Sequence, residues 1–475
     1  MVLLHGFPHQ GEIGGRCPCP GGPCASWIMK TLVFFGATGH LFSRKIFPAL
    51  ASLKEELQDF SIVTVGRRFA TQSEYQRFLG AFHPNPEAVF RRMVYCRGDA
   101  RDQDLLAQLA PHLKGDAVFF YLATLPSVYP VILEHLHTWH RDNPEVPISI
   151  ALEKPFGHDE ASFLELEKNL RQVFAEENIF YVDHYLGKST VLSLIILKAE
   201  NRFMEKLLSR EYLREVRIAV CEEEGVEERG AFYEETGAIK DILQNHLLQL
   251  LTLLAIDIPP LCEEDKRECQ HFQEEVAQAK SRLLQEVRLP EPAEILLGQY
   301  EGYREEVRNP HSVTETLIRL PLFIENPRWH GVPFRLLTGK KMAEKRSFVE
   351  AIFHSVTPLP NRLRIEIQPE ERIDLFVNVK TPGMDLSSAM VQLNFSYFGT
   401  FGAKSPEAYQ KILHDFLHHD RTLFPDSSFI RHSWRIIDQL LRKIRESQLT
   451  PFSYPPHTLN AEALFTGNLN ERNLE

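Results

Sequence analysis

The sequence has no hydrophobic run long enough to cross a membrane, no set of paired cysteines and an excess of acid over base. A membrane-spanning helix needs about 20 apolar residues, and no window of the 475 residues comes near this length. The seven cysteines fit neither a disulfide framework nor the spacing of a zinc site, which favours a reducing, cytoplasmic setting. The formal net charge of −11 disfavours nonspecific nucleic-acid binding. We therefore expect a soluble, cytoplasmic protein that binds neither membrane nor nucleic acid and holds no metal.

The length of the chain favours two domains. Residues 1–28 form a leader rich in Gly and Pro that we exclude from the fold, because the first strand-like run follows Met29. Short apolar runs then alternate with helical stretches, which predicts a Rossmann-like parallel sheet in a coenzyme domain over residues 29–182. The predicted strands of this domain cover residues 31–35, 61–66, 117–123 and 148–152.

The remainder of the chain has a different pattern. Alternating apolar and polar residues predict a large, mainly antiparallel sheet, and therefore an α+β domain over residues 183–450. Residues 263–287 are charged and predict an exposed helix, whereas the tail, 451–475, predicts irregular structure. Examples of the alternating segments are residues 215–220, 316–320 and 363–367.

A glycine turn and an arginine indicate a dinucleotide site. Gly36 and Gly39 lie between the first strand and a helix, where backbone N–H groups can approach a pyrophosphate. The full three-glycine pattern is missing, and such a turn alone is often only a connection. Arg67 and Arg68 end the second strand, where an acid would bind the ribose of NAD and an arginine can pair with the 2′-phosphate of NADP. The pattern favours NADP, with NAD possible.

His246 and Asn245 are the polar exceptions in a helix that is apolar around most of its circumference, over residues 242–254. An unpaired buried polar group costs about 1–3 kcal/mol, so His246 needs a partner, and a carboxylate is the natural one. Asp241 precedes it by five residues, which is roughly 140° around an α-helix, so we expect the two side chains on different faces. The spacing of Asp241 and Gln244 instead resembles a capping box that would leave the Asp241 carboxylate near sugar hydroxyls.

Residues 183–188 read Asp-His-Tyr-Leu-Gly-Lys and combine the groups that a phosphorylated sugar requires. His184, Tyr185 and Lys188 offer two possible charges and a hydroxyl donor to a dianionic phosphate. Lys154, at the junction of the two domains, can reach both substrate and cofactor. Alone, such a segment is more often a solvated turn.

Three motifs in this order resemble the glucose-6-phosphate dehydrogenase family: Glu-Lys-Pro-Phe-Gly at residues 153–157, the segment 183–188, and Asp-Ile-Leu-Gln-Asn-His at 241–246. The similarity extends over most of residues 30–445. It implies oxidation of glucose 6-phosphate to 6-phosphoglucono-lactone with hydride transfer to NADP, the first step of the oxidative pentose phosphate pathway. It also implies a homodimer or homotetramer.

The resemblance assigns roles to individual residues. It implies that Asp183 pairs with His246, and that His246 removes the proton from the anomeric hydroxyl. The implied substrate residues are Lys154, His184, Tyr185, Lys188, Glu222, Asp241, Lys340, Lys345 and Gln368, and the implied cofactor residues are Gly36, Ala37, Thr38, Gly39, His40, Leu41, Arg67, Tyr129 and Lys154.

Four positions depart from the family pattern and leave two alternatives open. The chain could oxidise a different sugar phosphate, or it could be a catalytically idle relative that binds a sugar phosphate or a partner chain. The intact histidine, aspartate and lysines of the three motifs favour an enzyme. The departures are His40 in place of an acid, Leu125 in place of a proline, and Lys240 and Lys345 in place of arginines.

Overall fold

Six parallel strands form the first sheet, in the order β3-β2-β1-β4-β5-β6. The computed structural model describes residues 29–102, 104–259 and 270–467, so the predicted leader lies outside the described residues. The strands are almost continuously apolar because helices cover both faces of the sheet. Their bounds are β1 Lys30–Phe35, β2 Phe60–Gly66, β3 Met93–Arg97, β4 Ala117–Leu122, β5 Ile148–Glu153 and β6 Ile179–Val182.

This strand order is that of the dinucleotide-binding Rossmann fold, so the predicted coenzyme sheet is confirmed. Val33 at the centre of β1 lies opposite Val63 on one side and Phe120 on the other, and all three side chains are fully buried. Strands β3 and β6 were not predicted, because β6 has only four residues and β3 ends in an exposed arginine.

The second sheet has ten strands and is mainly antiparallel, which confirms the second part of the predicted fold. Its main path is β15-β14-β13-β12-β7-β11-β10-β9-β16, and β8 pairs with β10. Two neighbouring pairs, β7 with β11 and β9 with β16, are parallel. The bounds are β7 Leu213–Cys221, β8 Val287–Arg288, β9 Leu296–Tyr300, β10 Leu317–Ile324, β11 Pro333–Gly339, β12 Arg346–Phe353, β13 Arg362–Gln368, β14 Arg372–Lys380, β15 Ser388–Ser396 and β16 Phe452–Tyr454.

Helices connect and cover the sheets, and two of them begin with π-helical turns, at Phe42–Ile46 before α1 and at Ile239–Leu247 before α10. None of the described helices combines the length and apolar character that a membrane crossing requires. The α-helices of the described residues are α1 Phe47–Ser52, α2 Gln72–Gly80, α3 Glu87–Phe90, α4 Leu105–Leu109, α5 Tyr129–Asp142, α6 Glu160–Arg171, α7 Ser189–Glu200, α8 Arg202–Leu207, α9 Gly230–Ala238, α10 Leu248–Ala255, α11 Gln270–Gln285, α12 Tyr303–Glu306, α13 Tyr397–Phe401, α14 Ala408–Leu417, α15 Ser427–Glu446 and α16 Ala461–Thr466.

Two predictions about the C-terminal half are wrong. Helix α11, expected to be exposed, buries Val276, Leu283 and Leu284 because it packs against α15. The described part of the tail, residues 451–467, was expected to be irregular but forms β16 and α16, and residues 468–475 lie outside the described residues. Tyr454 explains this order: it is fully buried, and its hydroxyl donates to the Lys340 carbonyl at 2.6 Å.

The C-terminal half also packs on the first sheet. Helix α14 buries Ile412, Leu413 and Phe416 against it, and the Phe416 ring lies edge-on to Phe119 of β4 and Phe180 of β6. The chain therefore returns to the coenzyme sheet after building the second one. The predicted domain boundary near residue 182 stays a prediction.

Candidate active site

The carboxyl ends of the parallel strands gather the predicted site residues at one edge of the first sheet. Gly36 follows β1, Arg67 follows β2, Lys154 follows β5 and Asp183 follows β6. Ligands of open α/β sheets bind at this edge, in the crevice where the strand order reverses. Here β1 and β4 are neighbours, which places that crevice between Gly36 and the loop after Leu122.

The helix that carries His246 reaches the same edge, but it begins differently from the prediction. Gly237 has φ of 58° and turns the chain, and the Ala238 and Ile239 N–H groups then donate to the backbone and side-chain oxygens of Glu315 at 3.0 and 3.1 Å. Asp241 therefore lies inside a π-helical segment rather than at its start, and the predicted capping box does not form. Gln244 instead donates to Ser433 Oγ at 2.8 Å.

The π-helical segment brings Asp241 and His246 to one face, so the expectation that they face apart is wrong. Residues five apart follow one another along a π-helix, in which hydrogen bonds run from i to i+5. The Lys154 ammonium contacts both: it donates to the Asp241 carbonyl and Oδ1 at 2.9 and 3.2 Å and lies 3.0 Å from His246 Nε2.

His246 and Asp183 form a buried dyad. His246 Nδ1 lies 2.6 Å from Asp183 Oδ1, and both side chains are at most 3% exposed. A carboxylate only accepts, so Nδ1 carries the ring proton and Nε2 has a free electron pair directed at Lys154. Burial lowers the pKa of His246 below its usual value of 6.5; the Asp183 charge opposes this shift and the Lys154 charge adds to it.

Asp183 and Asp241 both stay ionised. Burial opposes ionisation of Asp183, but the charge of His246 and its hydrogen bond outweigh it and lower the pKa of Asp183 to about 2. Burial likewise opposes ionisation of Asp241, and the cations Lys154 and Lys340 outweigh it and lower the pKa of Asp241 to about 2.

Rings from the 183–188 segment fix the imidazole. Tyr185 stacks on His246 with centroids 4.2 Å apart, and the Tyr185 hydroxyl lies 3.1 Å from Ser347 Oγ. His184 meets His246 edge-on at 4.8 Å. Burial first, and then the charges of His246 and Lys154, hold the pKa of His184 well below its usual value. His184 is therefore neutral, so it can offer a ligand a hydrogen bond but not the charge that the sequence suggested.

A cavity of about 650 Å³ opens in front of the dyad. It collects nearly all the predicted substrate residues. Lys340 lies one layer behind it, where its ammonium donates to Glu222 Oε2 at 2.6 Å; Lys345 lines the wall and donates to Glu224 Oε1 at 2.9 Å. The predicted residues lining the cavity are Lys154, His184, Tyr185, Lys188, Glu222, Asp241, His246, Lys345 and Gln368.

The cofactor end fits a dinucleotide at its turn. A Cβ on Gly36, which has φ of 80°, would lie 2.3 Å from the Ala123 carbonyl oxygen, so the tight turn requires glycine. Ala37 is buried, whereas Gly39 and His40 are exposed beside the turn, with Thr38 and Leu41 half-buried.

Two other predicted cofactor residues, Arg67 and Tyr129, already have partners within the protein. Arg67 is 75% exposed and pairs with Asp99 Oδ2 at 2.7 Å, so a 2′-phosphate must compete with this carboxylate. The Tyr129 hydroxyl donates to the Glu153 carbonyl at 2.8 Å. A second cavity of about 590 Å³ is lined by Tyr129, Leu125, Lys240 and Lys154.

Four residues of the site were missed by sequence reasoning. Arg44 and Lys45 line the substrate cavity from the first π-helical turn, and Arg229 lines both cavities. Glu153 lies directly behind Lys154, where its carboxylate accepts from Tyr121 at 2.6 Å, and burial raises its pKa to about 7. The adjacent basic residues after the glycine turn were a signal for Arg44 and Lys45, whereas Arg229 had none.

Family models match nearly all of the described chain. The NAD binding domain of glucose-6-phosphate dehydrogenase matches residues 33–193, and the C-terminal domain of the same family matches residues 195–468.

Individual relatives agree with these models. Glucose-6-phosphate 1-dehydrogenase of Chlamydia muridarum is 31% identical over 91% of this chain and 92% of its own, and glucose-6-phosphate 1-dehydrogenase 2 of Mycobacterium tuberculosis is 32% identical over 94% and 93%. A crystal structure of the Mycobacterium avium enzyme superposes with a TM-score of 0.77 at 30% identity, covering 90% of this chain and 94% of that one. The structure of a glucose-6-phosphate dehydrogenase in complex with glucose 6-phosphate superposes with a TM-score of 0.81 at 27% identity, covering 93% of this chain and 97% of that one. Because family models match both parts of the chain and relatives are more than 30% identical over most of it, the chain belongs to the glucose-6-phosphate dehydrogenase family.

Proposed function

We propose that the protein oxidises glucose 6-phosphate to its lactone with NADP as the hydride acceptor. The observation that carries this proposal is the buried Asp183–His246 dyad, whose Nε2 is held as a free base at the wall of a cavity lined by Lys188 and Lys154. When bound, NADP supplies the acceptor for the hydride that leaves the anomeric carbon.

His246 is the general base. Its Nε2 takes the proton of the anomeric hydroxyl, and the Asp183 carboxylate stabilises the imidazolium that forms at Nδ1. Lys154 lies on Nε2 in the free protein, so it must yield this electron pair to the substrate hydroxyl. It keeps its two contacts to Asp241 meanwhile, which hold its charge beside the oxygen that becomes the lactone carbonyl.

Binding is divided between the two ends of the site. Lys188, the hydroxyl of Tyr185 and neutral His184 anchor the phosphate, and Glu222 and Asp241 accept from sugar hydroxyls. At the cofactor end the glycine turn at residues 36–41 approaches the pyrophosphate, and Arg67 pairs with the 2′-phosphate in competition with Asp99.

The first prediction concerns the base. His246→Asn should lower kcat by about 10²–10⁴-fold and leave KM for glucose 6-phosphate similar, since it removes proton abstraction but not the phosphate contacts. Growth of nicotinamide absorbance with purified protein measures this. His271→Asn, which changes an exposed histidine on α11, is the matched control.

Near-normal turnover in His246→Asn would reject the base. A panel of sugar phosphates belongs in the same assay. Faster turnover of another member would favour an enzyme for a different sugar phosphate, and no turnover of any member with either NADP or NAD would favour the catalytically idle relative.

The second prediction concerns pH. Because the pKa of His246 is below 6.5 and the base must be neutral, kcat/KM should fall only when the pH drops below about 6.5. The Asp183 charge raises this pKa and the Lys154 charge lowers it, so Asp183→Asn should move the acid limb to lower pH and Lys154→Gln to higher pH. The pH dependence of each variant's residual activity measures these two shifts, and NMR titration of the His246 imidazole checks them. Substrate phosphate titrates identically in the two variants, so shifts in the same direction would contradict the assignment.

The third prediction concerns cofactor choice. Arg67→Ala should raise KM for NADP by about 10–150-fold, the equivalent of a charged hydrogen bond of about 1.5–3 kcal/mol, and leave KM for NAD nearly unchanged. Asp99→Asn should lower KM for NADP, because Asp99 competes for the guanidinium. Arg68→Ala is the control, since the Arg68 guanidinium lies 5.3 Å from the ring centre of Phe69. Equal losses for NADP and NAD in Arg67→Ala would refute a 2′-phosphate contact.

A cytoplasmic location stays a prediction from the sequence.

We further propose a homo-oligomer in which subunits meet at the edge of the second sheet. Strand β15 is the last strand of the sheet, and Leu393, Phe398 and Phe401 in and after it are 55–66% exposed. A second copy covering this apolar edge would remove it from water.

The fourth prediction tests this edge. The protein should sediment as a dimer or tetramer, and Leu393→Glu with Phe401→Glu should dissociate it, because two buried charges without partners are costly. Leu164→Glu on α6 is the control for an exposed leucine elsewhere. A monomeric wild-type protein, or an oligomer that survives the double substitution, would overturn the assignment.

A further inference from the structure

Two histidines and a glutamate meet on the surface where α14 packs beside the turn after α1. His414 lies in the last turn of α14, His418 directly follows that helix, and Glu56 lies in the turn before β2. Their ligand atoms all lie within 4.8 Å of one another. His414 Nε2 is 3.8 Å from Glu56 Oε2, and the two imidazole rings stack with centroids 4.3 Å apart.

The hydrogen bonds of both histidines prepare Nε2 as a ligand. His414 Nδ1 lies 3.2 Å from the carboxylate Oδ1 of buried Asp415, and His418 Nδ1 lies 2.8 Å from the His414 carbonyl. Carboxylates and carbonyls only accept, so the ring protons are on the Nδ1 atoms and the Nε2 electron pairs are free. Histidines that bind metals have this arrangement, in which the second ring nitrogen donates to a carboxylate or a backbone carbonyl.

The spacing also suits a metal. Two histidines four residues apart lie on one face of a helix, the geometry by which helical zinc sites present their imidazoles. A tetrahedral Zn²⁺ with bonds of about 2.0 Å separates its ligand atoms by about 3.3 Å. All three side chains are at the surface, so small rotations about their side-chain bonds close the remaining distance.

We propose that Glu56, His414 and His418 bind a divalent transition metal, with Zn²⁺ as the best match, and that water completes its coordination. Two imidazole nitrogens and one carboxylate oxygen favour zinc over Mg²⁺ or Ca²⁺, which prefer oxygen ligands alone. The sequence predicts no metal site, because its cysteines lack zinc spacing and the two histidines need Glu56 from a distant part of the chain.

The metal would join two walls of the substrate cavity. Tyr409 lines that cavity from the first turn of α14, and Ser52 lines it from the end of α1. A metal bound between Glu56 and the end of α14 therefore fixes the two helices relative to each other, which stabilises the folded state by mass action.

The zinc stoichiometry of the full chain tests the proposal. In equilibrium dialysis with Zn²⁺ alone, wild-type protein should bind one equivalent more than His414→Asn or His418→Asn. His271→Asn removes a histidine paired with a single glutamate and should bind as wild type does. Asp183, His184 and His246 could also hold an ion. The variant His246→Asn removes that second cluster, and it should still bind the zinc equivalent assigned to Glu56, His414 and His418. Equal stoichiometry in wild type and both surface variants would overturn the proposal.

Two further measurements identify the ligands. Co²⁺ in place of zinc should give the visible bands of a four-coordinate nitrogen and oxygen site, without the near-ultraviolet band of a thiolate, and His418→Asn should abolish them. Asp415→Asn keeps all three ligands and should lower the affinity for Zn²⁺ by about 10–100-fold, as expected for a residue that orients a ligand. Thiolate bands that persist in His418→Asn would place the metal on cysteines and reject the site.

Discussion

The Lys154 ammonium is the contact on which the rest of the site depends. It extends from the end of β5 to Asp241 and His246, so one charge connects the coenzyme sheet to the helix of the second domain. Asp241 is 8% exposed and Lys154 22%, and removing one partner of a buried pair costs about 3–5 kcal/mol. The same contact protects the base, because a cation beside Nε2 opposes protonation of the imidazole. Stability and chemistry therefore share one interaction.

An acidic protein must bind its anions with local cations, and the site shows how these are kept available. Asp183 and Asp241 are ionised; Lys154 pairs with Asp241 and Lys340 with Glu222, so each of these lysines already has a carboxylate partner. Within the described ranges no ion pair engages Lys188, and the same holds for Arg44 and Lys45. These three residues form a cationic wall where the phosphates are expected, although the net charge of the protein is −11.

Most of the fold could be predicted from the sequence, because parallel strands are nearly continuous apolar runs and their ends carried the site residues. The pairing of Asp183 with His246 came from family resemblance, since residues 63 positions apart have no local signal. The prediction that Asp241 and His246 lie on different faces was wrong because α-helical geometry was assumed. The π-helical segment depends on Glu315, which binds the first N–H groups from a remote loop. No pattern within the helix itself reveals that contact.

Helix α14 supports both the binding residues and the catalytic residues of the site. Tyr409, in its first turn, hydrogen-bonds the buried carboxyl of Glu153 and stacks on His184 with the two rings 9° from parallel. His184 and Glu153 are therefore both positioned by a helix that returns to the first sheet late in the chain. The base is positioned by β5, β6 and the segment before α10, whose contacts are buried and charged. Because Glu153 directly precedes Lys154 and His184 directly follows Asp183, a shift of α14 would disturb the phosphate contact at His184 and the support of the Asp183–His246 dyad together.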